Sequence, residues 1–264
     1  MKKIITIACL IFLCVSVANA KKEGKDINVV FIGNSITFGA TLESPKTQAP
    51  PIICGQLLKE KTGREVTVRN CGISGCTTLD FLPISNRQWP NVIKNADELN
   101  AKPGHLVFNI MLGTNDSAQD RCFGSPVVPE QYYTNMKVII DALIARYPKA
   151  TIVVQYPLWY SPSTYNGARY LQNGLDRLIS YHPMIDKLVE SYTNDKHQQV
   201  FTGDKQTFEA FKEKLELFTT EDGNAGKFYL HPNAKGAAYL AYKQNKPIIP
   251  VYISCSIPEY MNNN

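Results

Sequence analysis

The chain has 264 residues, with 28 Lys and Arg against 23 Asp and Glu and a formal net charge of +5. That near-neutral balance, without a basic run, lacks the electrostatic footprint of a nucleic-acid binder. Residues 1–20 read as a signal peptide. Lys2 and Lys3 give a charged start, residues 4–17 are apolar, and Ala18-Asn19-Ala20 is a small-x-small cleavage site.

The apolar run is short for a membrane span, and Leu13 before Cys14 fits a lipoprotein box poorly, so a soluble secreted or periplasmic protein is expected. Cleavage near Ala20 leaves residues 21–264, a length that suits one α/β domain. Without Lys2 and Lys3, 26 basic residues face 23 acidic ones. Five cysteines lie beyond the cleavage site: Cys54, Cys71, Cys76, Cys122 and Cys255. An oxidising compartment permits disulfides, and the odd count leaves a thiol over. The Cys71/Cys76 spacing has no second Cys or His pair beside it, so no metal site and no cofactor are expected.

In chain order, residues 27–32 form a short β-branched run ended by Gly33, the pattern of a buried parallel strand. A helix over 52–61 ends at Gly63, and 65–70 and 106–112 read as further strands, the latter apolar enough to be covered on both faces. Pro129 opens the clearest helix, 129–147. Tyr132, Met136, Ile139, Ile140, Leu143, Ile144 and Tyr147 share its apolar stripe, and Asn135, Lys137 and Asp141 fall outside it. A strand at 151–156, a helix over about 168–192, a short strand at 199–202 and helices over 206–218 and 232–245 complete the pattern. Alternating apolar strands and amphipathic helices imply a parallel sheet covered on both faces, with ligands bound at the carboxyl ends of the strands.

Four polar segments converge on that edge. Gly33-Asn34-Ser35-Ile36 follows the first strand, Asn70-Cys71-Gly72-Ile73-Ser74-Gly75 the second and Gly113-Thr114-Asn115-Asp116 the third. His231-Pro232-Asn233 opens the last helix. Taken alone, Ser35 reads equally as a helix N-cap. A G-x-S-x-G elbow is excluded by Thr37, and a P-loop by the absence of Gly-Lys-Ser/Thr after Gly33.

Taken together, Gly33-Asn34-Ser35, Gly75, Gly113-Thr114-Asn115-Asp116 and His231-Pro232-Asn233 resemble the blocks of the SGNH, or GDSL-type, hydrolase family, in that family's order. The resemblance implies a flavodoxin-like three-layer sandwich with a five-stranded parallel sheet. It also implies an ester hydrolase with Ser35 as nucleophile, His231 as base, and an oxyanion hole from the Ser35 and Gly75 amides and the Asn115 side chain. One position departs from the family: the acid usually found three residues before the histidine is Phe228 here. The nearest acids are Glu221 and Asp222. Either Asp222 reaches His231 because the intervening segment loops out, or a carbonyl or water holds the ring in a serine–histidine dyad. Asp116 is expected to cap its own loop.

Cys76 and Cys122 follow the second and third blocks, and a disulfide between them is expected, with Cys71 the alternative partner. Trp159 and Tyr160, after the fourth strand, offer an aromatic platform for a sugar ring, and Arg121 a partner for a substrate carboxylate. Packing and solvated-surface roles are the plain alternatives for these three. The expected substrate is a small-molecule or glycan ester, and the expected enzyme a carbohydrate O-acetylesterase acting on a glycan or sialic acid. A lysophospholipase or other lipid-directed esterase is the alternative, and a catalytically silent glycan-binding protein is the alternative of another class.

Overall fold

A computed structural model describes residues 26–193 and 199–254. The expected signal peptide and Cys255 lie outside the described residues. Strands β1 (Ile27–Gly33), β2 (Val66–Gly72), β3 (His105–Met111), β4 (Thr151–Val154) and β5 (Val200–Thr202) form one sheet in the order β2-β1-β3-β4-β5. Every neighbouring pair is parallel. Between and after them come α1 (Ser35–Phe38), α2 (Pro45–Gln48), α3 (Pro50–Thr62), α4 (Trp89–Asn100), α5 (Pro129–Arg146), α6 (Leu171–Glu190), α7 (Gln206–Glu213) and α8 (Ala234–Ser254). The flavodoxin-like sandwich expected from the sequence is the fold observed.

Alternation along β1 builds the layers. Val30 and Ile32 point to one face, packing with Val92 and Ala96 of α4, Ile139 and Leu143 of α5, and Leu178 of α6. Ile27, Val29 and Phe31 point to the other, against Cys54 and Leu58 of α3 and Ala241 and Ile248 of α8. All seven β1 residues are buried, as a strand covered on both faces requires. Asn135 departs from its expected place: it is buried, and its amide donates to Thr78 Oγ1 at 2.9 Å. Helix α5 therefore carries a polar tether inside its apolar stripe.

The segment before α8 is not a simple loop. Strands β6 (Phe218–Gly223) and β7 (Gly226–Pro232) form a separate antiparallel hairpin closed by Asn224 and Ala225. Phe218 pairs with Pro232 and Thr220 with Tyr229, so Thr219 faces both Leu230 and His231. This one-residue mismatch is a β-bulge, a device that re-aims a side chain, and it falls at His231.

Because β1 lies between β2 and β3, Gly33 is in register with both Gly72 and Met111. The chain leaves β1 toward one side of the sheet and later returns on the other, which opens a crevice at the carboxyl edge. Close approach at this edge needs glycine. A Cβ on Gly72 would stand 2.4 Å from Phe38 N and 2.8 Å from Thr37 C, both backbone atoms of α1. Gly72→Ala must push α1 and β2 apart, at a cost of about 1–3 kcal/mol. The expected result is a thermal midpoint lower by several degrees; an unchanged midpoint would contradict this packing.

Candidate active site

Asn34 caps α1, its Oδ1 accepting from Ile36 N at 3.1 Å, which sets Ser35 as the first helical residue. The amide of a first helical residue has no intrahelical acceptor and is available to a ligand. Ser35 Oγ lies 2.9 Å from His231 Nε2 although the two residues are 196 positions apart.

The other imidazole nitrogen meets a carboxylate. Glu221 Oε1 is 2.8 Å and Oε2 3.0 Å from His231 Nδ1, and the His231 backbone N–H also donates to Oε1 at 3.3 Å. An ionised carboxylate only accepts, so this contact puts the imidazole proton on Nδ1 and leaves the Nε2 lone pair facing the Ser35 hydroxyl.

The acid at the histidine is Glu221, and the expectation of Asp222 is corrected. Successive strand residues face opposite sides. Glu221 is paired in register with Phe228, the position where the family pattern has its aspartate, and Asp222 with Lys227. Asp222 accordingly points outward, with 84% of its side chain exposed, and forms an ion pair with Lys227 at 3.1 Å. The turn-forming run Gly223-Asn224-Ala225-Gly226 was the signal for this hairpin.

Gly75 sits in a tight turn closed by Cys76 N donating to Ile73 O at 3.3 Å, and its φ of +78° is in the left-handed region that favours glycine. Beyond its chain neighbours, no group lies within 4 Å of where its Cβ would be, so the backbone angle and not crowding favours glycine here. Asn115 is buried. Its Nδ2 donates to Cys76 O at 2.8 Å, and its Oδ1 accepts from Tyr170 Oη–H at 2.7 Å. One Nδ2 hydrogen is left for the crevice.

Asp116 bonds its own backbone amide, as a loop cap does, and also fixes the two loops to each other. Its carboxylate accepts from Thr78 N at 2.9 and 3.2 Å and from the Thr78 hydroxyl. Burial pushes this carboxyl up to about 6, and the Thr78 bonds pull the other way. Thr78 starts the 3₁₀ turn Thr78–Phe81, directly after the Gly75 loop, so one buried carboxylate sets the spacing of Gly75 and Asn115.

Ser35, Gly75, Asn115 and His231 line a single cavity of about 470 Å³, together with Arg121 and Tyr170. Of the other expected site residues, Trp159 and Tyr160 are absent from this lining. Trp159 packs edge-on against Phe218 at 6.0 Å between ring centroids. Tyr160 is fully buried, its hydroxyl 2.9 Å from Ser117 Oγ. Both are packing residues, although the same segment reaches the cavity wall further on, at Asn166, Gly167 and Ala168.

The bridge expected between Cys76 and Cys122 is not formed; both are free thiols. The Cys76 thiol is engaged by Asp80, and Cys122 Sγ lies 3.8 Å from Tyr170 Oη. Burial pushes the two thiols up to about 12 and about 11. Among the described residues, no group of three or more His, Cys, Asp or Glu could hold a metal ion, and no helix is long and apolar enough to cross a membrane.

Comparison with known proteins gives the fold and the family. An acetylxylan esterase from Geobacillus stearothermophilus is 19% identical and superposes with a TM-score of 0.57 over 83% of this chain and 93% of that one. A carbohydrate acetylesterase from Sinorhizobium meliloti gives 17% identity and a TM-score of 0.57 over 88% of this chain and all (100%) of that one. A lipase/acylhydrolase from Enterococcus faecalis gives 18%, 0.53, 81% and 91% respectively. At such identities these likenesses establish the fold. No curated protein sequence matches the chain. The model of the GDSL-like lipase/acylhydrolase family matches residues 31–239, from within β1 to within α8, and the chain belongs to that family.

Proposed function

We propose that this protein is an exported single-domain serine esterase that removes O-acetyl groups from a carbohydrate. One observation carries the reading: an unbroken hydrogen-bond chain from Ser35 through His231 to Glu221, opening on a cavity that Gly75 and Asn115 also line.

Attack begins when Ser35 Oγ approaches the ester carbonyl and His231 Nε2 takes its proton. The resulting imidazolium is stabilised by Glu221, which accepts from Nδ1 and holds the ring in the productive orientation. Charge then accumulates on the former carbonyl oxygen. The Ser35 amide, the Gly75 amide and the free Nδ2 hydrogen of Asn115 meet it. Each such donor typically lowers the barrier by about 3–4 kcal/mol. His231 returns its proton to the leaving alcohol, and a water repeats the sequence to free the acetate.

The cavity supports a small acyl group and a polar leaving group. Around Ser35 its wall is made of small residues such as Ala40, Ser74, Gly167 and Ala168, and Leu230 is the one large aliphatic side chain in the lining. The likeness to a carbohydrate acetylesterase and an acetylxylan esterase points the same way.

Arg121 is placed to select the alcohol part. It lines the cavity at φ +67°. Its nearest acid, Asp120, lies 3.9 Å away and is held by Arg169 at 2.9 Å. The guanidinium is thus open to a carboxylate on the sugar.

Ser35→Ala is expected to abolish release of p-nitrophenol from p-nitrophenyl acetate while leaving the thermal midpoint nearly unchanged. The wild type should lose activity steeply from acetyl to octanoyl esters. Full activity in the variant would remove Ser35 from the mechanism, and a preference for octanoyl would reject the deacetylase reading.

Glu221→Gln should lower kcat about 10²–10⁴-fold, because the amide no longer stabilises the imidazolium and favours the wrong tautomer. Asp222→Asn, by contrast, should change kcat less than twofold. The reverse order in a steady-state comparison would return the role to Asp222.

Arg121→Asn keeps a residue that tolerates the left-handed backbone. It should raise KM about tenfold or more for an acetylated sugar acid, the loss of a charge-assisted hydrogen bond, without affecting a neutral acetylated sugar. Equal effects on both substrates would exclude a carboxylate partner for Arg121.

A further inference from the structure

The third oxyanion donor differs from the other two. The Ser35 and Gly75 amides are fixed by backbone geometry, but a side-chain amide can rotate by half a turn and present its oxygen in place of its nitrogen. With Asn115 Oδ1 aimed into the cavity, the hole would carry a lone pair where negative charge must form. Something has to decide the orientation.

Two contacts bear on it. Cys76 O, a pure acceptor, takes a hydrogen bond from Asn115 Nδ2 at 2.8 Å. Tyr170 Oη donates to Asn115 Oδ1 at 2.7 Å. In the flipped amide Oδ1 would face the Cys76 carbonyl, acceptor against acceptor.

The Tyr170 hydroxyl is the donor in this pair. Burial holds its phenol well above its ordinary range, so it stays protonated. Its one other polar contact among the described residues is the Cys122 thiol at 3.8 Å, so its proton is not committed to a stronger acceptor.

Tyr170 is itself held firmly. Gln119 Nε2 donates to Tyr170 O at 2.8 Å, Gly174 N to the same oxygen at 2.9 Å, and the ring packs edge-on against Tyr160 at 5.3 Å. The next residue, Leu171, stands at φ +54°, a conformation disfavoured for leucine. A non-glycine residue kept there indicates that surrounding contacts over-determine the backbone at this point.

We infer that Tyr170 is a positioning residue for the oxyanion hole: its hydroxyl locks the Asn115 amide with Nδ2 toward the substrate carbonyl. The phenol does not touch the reacting atoms; it acts through Asn115. None of the four sequence blocks contains it, and it reaches the site from the loop before α6. The inference rests on the proposed esterase activity, since the amide's orientation matters only if an oxyanion forms there.

The test is steady-state kinetics of the purified protein on p-nitrophenyl acetate. Tyr170→Phe is expected to lower kcat about tenfold or more with KM changed less than threefold, because the donor matters most when charge has developed. Residues acting as one unit give non-additive losses. In an Asn115→Ala background, Tyr170→Phe should therefore have little further effect. A merely structural role would reduce activity equally in both backgrounds.

Should Tyr170→Phe not fold, two replacements that fill the hydroxyl's space decide the matter. Activity should persist with 4-aminophenylalanine, which donates, and fall with 4-methylphenylalanine, which does not. Wild-type kcat in Tyr170→Phe, additive losses with Asn115→Ala, or equal activity of the two unnatural residues would overturn the inference. Full activity in Ser35→Ala, or no turnover by the wild type, would instead overturn the serine-esterase reading, so the two failures are distinguishable.

Discussion

Parallel pairing of β1 with β2 on one side and β3 on the other is the constraint from which the site follows. It fixes Gly33, Gly72 and Met111 at one level of the sheet. The loops that leave these strands carry Ser35, Gly75 and Asn115, so three polar elements distant in sequence become neighbours without long-range design beyond strand register. The two glycines permit the backbones to approach, and Asp116, bonded to Thr78, sets the separation of the second and third loops. The side chains that set the loops are paired, Asp116 with Thr78 and Asn115 with Tyr170 and the Cys76 carbonyl.

The sheet edge carries the proposed nucleophile and oxyanion donors, but the proposed base and its acid come from outside it. His231 lies where β7 runs into α8, at a bulge, and Glu221 lies on the partner strand of the same hairpin. The hairpin therefore delivers an already paired imidazole and carboxylate to the hydroxyl of α1. Their geometry depends on ten residues of local structure, which is why the aromatic Phe228 can occupy the family's usual acid position and be buried in the core.

How much of this was legible in the sequence follows from how local each signal is. The five strands and the helices over α3, α5, α6 and α8 were readable because apolar periodicity survives in short windows. Helix α4 was missed, although Val92, Ala96 and Leu99 recur at helical spacing on its buried face. Ser35, Gly75, Asn115 and His231 stood out because each follows a strand or opens a helix in a recognisable motif, and the structure brings all four to one cavity. Glu221 was hidden because choosing it over its neighbour requires the hairpin register: one residue of slip exchanges the faces. Tyr170 lies outside every motif block, and its role depends on a loop path that no local pattern encodes. The Cys76–Cys122 pairing was suggested by position alone, and sulfur positions cannot be read from loop membership.

The hairpin tip has a mechanical tie to the cavity wall. Asn224 N donates to Tyr165 O at 2.7 Å, Asn224 Nδ2 to Asn166 O at 3.3 Å, and Ser163 Oγ to Lys227 O at 2.8 Å. The strand bearing the carboxylate and the loop that shapes the leaving-group side thus move as one body. Remodelling residues 161–168 to accept bulkier alcohols would tilt the imidazole along with the wall, so selectivity and turnover would trade against each other there. The Arg121 side of the crevice joins the same frame one step further out, since the neighbouring Asp120 pairs with Arg169, which bridges to Tyr165.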